Sequence, residues 1–158
     1  MTTRRILISF SLLALVAGCG GPGESADVPE AQPAEATSAD IGDYVVHFSA
    51  QTTDQLPREV AQAYMIQRSK NRAMLNVSII RESDSAAVAA DVTVKTRNLT
   101  QQLKTVEMRK IDEQEAIYYI GETSVANRET LIFEITVKPE GQEQPSDVIR
   151  FQRQFYTD

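Results

Sequence analysis

The chain has one cysteine, one histidine and no tryptophan among its 158 residues. The lone cysteine, Cys19, excludes an intramolecular disulfide, so any domain must hold together through its core. One histidine, His47, leaves no clustered His and Cys set, so neither a metal site nor a cofactor is expected. No apolar run reaches the ~20 residues that a membrane-spanning helix requires. No heptad pattern and no internal repeat runs along the sequence, which excludes a coiled coil and a solenoid. What remains is 42% hydrophobic and 24% charged, the composition of one ordinary globular domain.

The one apolar stretch is short and lies at the start. Arg4 and Arg5 precede Ile6 to Val16, which only Ser9 and Ser11 interrupt. The stretch ends in Val16-Ala17-Gly18-Cys19. A branched residue, two small residues and a cysteine make a bacterial lipobox pattern. The small residues let an extended chain enter a signal peptidase, and the Cys19 thiol is the nucleophile for attachment of diacylglycerol. Residues 1–18 are therefore expected to be a lipoprotein signal peptide and Cys19 the lipidation site. Several acyl chains on one cysteine anchor stably where one chain is marginal. Gly20, not Asp, follows Cys19, which lacks the usual inner-membrane retention signal and favours the outer membrane.

Residues 20–41 contain five acidic side chains, no basic one and no aromatic. Such a segment buries too little apolar surface to offset its chain entropy. Residues 19–41 thus read as an acylated cysteine followed by a disordered acidic linker, with an average reach of roughly 25–30 Å. The formal net charge of −6 is concentrated there. Export and the acidic balance together exclude nucleic acid as a partner.

Residues 42–158 carry short alternating apolar runs. Tyr44, Val46, Phe48 and Ala50 share one face, as do Leu75, Val77 and Ile79. Val88, Ala90, Val92 and Val94 form a third set, and Leu131, Phe133, Ile135 and Val137 the clearest. Leu103 to Lys110 is a weaker strand with Val106 and Met108 inward, and Asp112-Glu113 marks the turn after it. Ile117-Tyr118-Tyr119-Ile120 is apolar on both faces and belongs in the middle of a sheet. Ile149, Phe151, Arg153 and Phe155 close the chain. Pro57 suits the first turn of a helix over about 57–65, which would cover an end or edge. The expected fold is an all-β, immunoglobulin-like antiparallel sandwich of about seven strands, with one short helix after the first strand.

No residue set points to catalysis. His47 faces away from the core, and no Gly-x-Ser-x-Gly elbow accompanies any serine. Asp112, Glu113 and Glu115 cluster at a turn and read as a solvated loop. Arg153 falls on an inward register, where a cation needs a partner, and the sandwich rim beside Glu107, Glu122 or Glu134 would provide one. The sharpest polar motif is Arg68-Ser69-Lys70-Asn71-Arg72. If extended, it aligns Arg68, Lys70 and Arg72 on one stripe. That stripe suits an acidic loop, a lipid phosphate, the carboxylates of a glycan or the chain's own linker. The plainer account is that the three cations pair with nearby acids or cap the preceding helix.

Taken in order, Asp43 to Ala50, Arg68 to Ser78, Ala116 to Ile120 and Gln154 to Asp158 resemble the bacterial family known as domain of unknown function 4426. Its members are small exported proteins of gammaproteobacteria. The resemblance implies export and an all-β domain, and implies no activity, cofactor or catalytic residue. The expectation is a lipid-anchored envelope lipoprotein, not an enzyme. It would act as a binding or scaffolding module in the periplasm, its membrane contact made through Cys19. Its partner would be an envelope protein or an anionic glycan or lipid, met by Arg68, Lys70 and Arg72. The alternative is an envelope assembly factor or small chaperone, and less favoured is an enzyme acting on glycan or lipid.

Overall fold

The computed structural model describes residues 36–158. The expected signal peptide, Cys19 and the linker up to residue 35 lie outside the described residues. The described residues form an all-β fold of two antiparallel sheets and one short helix. In the five-stranded sheet the order is β1 (Ser38–Ile41), β2 (Tyr44–Thr52), β3 (Arg72–Arg81), β7 (Ala116–Ser124) and β6 (Arg109–Glu113). In the four-stranded sheet it is β5 (Leu103–Lys104), β4 (Ala90–Asn98), β8 (Glu129–Pro139) and β9 (Ile149–Phe155). A 3-10 turn (Thr53–Gln55) and the helix α1 (Arg58–Ala63) lie between β2 and β3.

The alternation read from sequence sets the core. Leu131, Phe133, Ile135 and Val137 of β8 are buried. They join one cluster with Val46, Phe48 and Ala50 of β2 and Leu75, Val77 and Ile79 of β3. Phe151 of β9 stacks on Phe133 at 4.9 Å between ring centroids and tilts against Phe48 at 4.7 Å. Phe48 belongs to one sheet and the other two rings to its partner, so this trio ties the layers together. Burying each large side chain contributes about 1.5–3 kcal/mol.

Several expectations need correction. Among the described residues nine strands form, where about seven were expected. One addition is β1, which falls within the stretch assigned to a disordered linker. It pairs Ser38 with His47 through Ile41 with Tyr44, and Ala39 and Ile41 pack against the core. Backbone pairing with a neighbouring edge needs little apolar content, which is why the composition conceals it. The other addition comes from the expected strand 103–110, which splits. Leu103–Lys104 pairs with β4, whereas Arg109–Glu113 pairs with β7 in the opposite sheet. Val106 and Met108 cross between them and pack over Gly121, where an added Cβ would lie 2.6 Å from each side chain. The expected turn at Asp112-Glu113 sits instead at Gln114-Glu115, and Gln114 takes the left-handed conformation with φ 50°. Arg153 is exposed in register with Leu131.

Helix α1 forms where expected, and its layer reaches the edge strand β6 through Ile111. It lies on the outer face of the five-stranded sheet. Leu56, Ala61 and Ile66 cluster there with Met74 and Ile120, flanked by Tyr64, Ile111 and Tyr118. This layer explains why β7 is apolar on both faces.

Candidate functional site

The excursion from Thr53 to Arg72 builds a concavity against the five-stranded sheet. Its base is pinned by Thr53, which is fully buried. The Thr53 hydroxyl lies 2.9 Å from the Gln67 carbonyl and 3.1 Å from that of Ser69. It also accepts the Ser69 N–H at 2.9 Å. One buried hydroxyl thus joins both ends of the excursion.

The far end of α1 closes with a Schellman motif. Ile66 N–H donates to the Ala61 carbonyl at 2.7 Å, and Met65 N–H to that of Gln62 at 3.2 Å. The residue in the left-handed position is Met65, with φ 54°, where glycine is usual. Its side chain is 87% exposed. Two bonds then tether the helix end to β6. The Tyr64 hydroxyl donates to Glu113 Oε1, and the Arg109 guanidinium donates to the Tyr64 carbonyl. The Glu113 carboxylate, followed by partial burial, pushes the Tyr64 phenol above its ordinary value, so Tyr64 stays a donor.

Between this excursion and the sheet lies a groove of about 370 Å³. One wall is apolar: Leu56, Val60 and Ile66 above, with Met74, Ile111 and Ile120 on the sheet. Tyr64 and Tyr118 add two partly buried rings. The other wall is polar: Ser49 and Gln51 of β2 and Asn76 of β3. Ser49 stands opposite Asn76 in the ladder, and Gln51 opposite Met74. The Asn76 Oδ1 is buried without a hydrogen-bond partner. Glu113 is the one charged side chain in the lining. The sequence reading missed this site, because its residues come from five separate elements. The available clue was the apolar outer face of β7, which requires something to cover it.

The sequence-derived candidates fall elsewhere. His47 is exposed on the outer face and does not line the groove. The segment from Arg68 to Asn71 is loop and turn rather than strand, so no single extended stripe forms. Arg68 donates to the Asp54 carbonyl. Lys70 Nζ donates to the Asp158 main-chain oxygen at 2.8 Å. Arg72, on β3, pairs with Glu122 of β7 at 3.2 Å. The three cations thus reach three different acceptors around the base of the excursion. Among the described residues, no three His, Cys, Asp or Glu side chains converge as a metal site would need. No helix among them is long and apolar enough to cross a membrane.

Comparison with known proteins adds family and fold. The model of a family described as domain of unknown function DUF4426 matches residues 38–158. The crystal structure of a DUF4426 family protein from Pseudomonas aeruginosa PAO1 is similar, with 30% sequence identity and a TM-score of 0.66. The alignment covers 78% of this chain and 96% of that one. No curated protein matches the chain.

Proposed function

The chain belongs to the DUF4426 family, and from that premise we propose that it is a lipid-anchored, non-catalytic binding module of the bacterial cell envelope. The observation that carries this reading is the groove, an open concavity of about 370 Å³ with one apolar and one polar wall. Small-molecule and peptide sites have this make-up: apolar surface with a few placed polar groups. The sequence Val16-Ala17-Gly18-Cys19 supplies the anchor, and the acidic segment behind it the tether. Gly20 after Cys19 favours the outer membrane, with the domain facing the periplasm.

The proposed fold type is immunoglobulin-like. With β2 as strand A and the following strands lettered in order, one sheet reads A-B-E-D and the other C′-C-F-G. In this scheme β1 is an added edge strand beside A. Such sandwiches commonly present faces, loops and edges to partners, and the excursion carrying α1 is an insertion between A and B.

The groove chemistry argues against hydrolysis. Its one carboxylate, Glu113, accepts the Tyr64 hydroxyl, and His47 lies outside the lining. An assembly factor acting by strand exchange would use an unprotected edge. The longest edge strand, β9, carries exposed Arg150 and Arg153, the kind of charge that discourages strand addition.

The test is photo-crosslinking in cells of the intact anchored protein, with a probe replacing Val60 at the groove rim and a control probe at Ala34. A discrete product from position 60 alone supports a binding groove, and equal labelling from both positions overturns it. In the same cells Cys19→Ser should move the protein from the membrane to the soluble fraction. Retention in the membrane would remove the lipid anchor from the reading.

A further inference from the structure

We propose that the groove binds a neutral sugar ring. This rests on the binding-module reading and assigns the chemistry of that same site. Four observations lead to it.

The first is charge. No lysine or arginine lines the groove, and its single charged group is the carboxylate of Glu113. Phosphate, carboxylate or sulfate ligands would meet repulsion there without a compensating cation. The anionic glycan and lipid partners expected from the basic motif therefore do not suit this cavity.

The second is the polar wall. Ser49, Gln51 and Asn76 present a hydroxyl and two carboxamides from neighbouring rungs of β2 and β3. These groups both donate and accept, the pattern that matches ligand hydroxyls. A hydrocarbon chain would strand them.

The third is the unpaired Asn76 Oδ1. A buried acceptor without a donor destabilises the fold and calls for an explanation. A small rotation of the carboxamide toward the cavity would give it a ligand hydroxyl.

The fourth is the pair of rings. Tyr64 and Tyr118 line the groove partly buried, and the aromatic contacts among described residues are those of Phe48, Phe133 and Phe151 instead. A pyranose has C–H faces that lie on an aromatic ring and a rim of hydroxyls. Those two kinds of surface match the two walls. A larger concavity, about 470 Å³, carries the charged side chains Lys110, Lys138, Asp91 and Glu140 in its lining. Three of its four charged side chains are already used in the pairs Lys110–Asp112 and Lys138–Asp91.

The experiment is saturation-transfer NMR on the intact lipoprotein in lipid nanodiscs, with empty nanodiscs as control. The probes are glucose, N-acetylglucosamine, maltotriose and chitotriose. Glucose 6-phosphate and hexanol serve as the anionic and apolar comparators. Transfer to the ring protons of at least one neutral sugar is expected, with at least tenfold weaker binding in Gln51→Ala and in Asn76→Ala. Neither variant should lower the melting temperature by more than a few degrees, and Asn76→Ala should hold or raise it. Similar affinity for a sugar and its trimer identifies a free sugar as the ligand, and a trimer bound at least tenfold tighter identifies a glycan chain. Transfer to none of the four sugars, preference for hexanol or glucose 6-phosphate, or full binding in both variants would overturn the proposal. Crosslinking from position 60 that persists without sugar binding would remove the sugar assignment and leave the binding module standing. Loss of both would remove both.

Discussion

Lys104 Nζ lies 3.0 Å from Glu129 Oε1, and both side chains are largely buried at the edge of the four-stranded sheet. Glu129 also accepts from Asn98 Nδ2 at 3.0 Å and from the Ala126 N–H at 2.9 Å. The pair therefore ties the two-residue strand β5 to the turn before β8. Burial acts to raise the Glu129 carboxyl. The bonds from Asn98 and Ala126 and the Lys104 ammonium outweigh it and hold the carboxyl below its ordinary value of 4.5. A depressed folded value means that Glu129 stabilises the fold above the ordinary carboxylate range. That contribution fades as pH falls through the folded value. Glu129→Gln should lower stability at neutral pH by about 1–3 kcal/mol. It should also flatten the loss of stability below pH 4.5, read from urea melts across the acid range. An unchanged pH slope would mean that Glu129 is not part of the acid response.

Met65 occupies the left-handed position that ends α1, with its apolar side chain in solvent. The backbone conformation costs stability, since glycine takes it without a Cβ penalty. Met65→Gly should stabilise the domain by about 0.5–1 kcal/mol, visible as a rise of a few degrees in melting temperature. If the exposed thioether contacts the ligand, the same variant binds more weakly while being more stable. A lower melting temperature would mean that the Met65 side chain supports the fold.

Strand existence was legible wherever one face is buried. The runs Leu131–Val137 and Tyr44–Ala50 alternate because one side meets the core and the other does not. The crossing at 105–108 was not legible. Val106 and Met108 keep a strand-like alternation, yet they leave the sheet to cover Gly121, a contact thirteen or more positions away in sequence. Asn98 shows the same limit. Nothing in the local pattern marks it, yet its side-chain oxygen accepts from Thr100 and Gln102 and its amide reaches Glu129. The basic motif misled for a local reason. A single stripe needs an extended chain, and the Thr53 hydroxyl fixes residues 67–69 as a loop instead. The groove required knowing that the outer faces of β2, β3 and β7 lie side by side under α1, which is topology rather than periodicity.

Gly121 tests the crossing directly. A methyl group there would meet Met108 Sδ and Val106 Cγ1 at 2.6 Å and the Glu107 carbonyl at 3.1 Å. The Met108 side chain can swing aside, but Val106 is stiff at its branch and the carbonyl is backbone. Gly121→Ala should therefore destabilise by about 1–3 kcal/mol. Val106→Ala in the same background should recover part of the loss, as a double-mutant cycle would measure. Independent, additive effects would show that residues 105–108 do not rest on Gly121.

The three cations at the base of the excursion separate docking from latching. Arg72 faces Glu122 on the sheet, so Arg72→Glu sets two carboxylates together and should cost about 1 kcal/mol, kept modest because Arg72 is partly exposed. Arg68 and Lys70 bond only to main-chain oxygens, at Asp54 and Asp158, and both are exposed. The double variant Arg68→Glu, Lys70→Glu should leave the melting temperature within the ~0.5 kcal/mol expected of surface changes. If these side chains touch a partner, crosslinking from position 60 falls several-fold in that variant at unchanged stability. Undiminished crosslinking with a lowered melting temperature would assign Arg68 and Lys70 to holding the loop. The groove would then carry recognition alone.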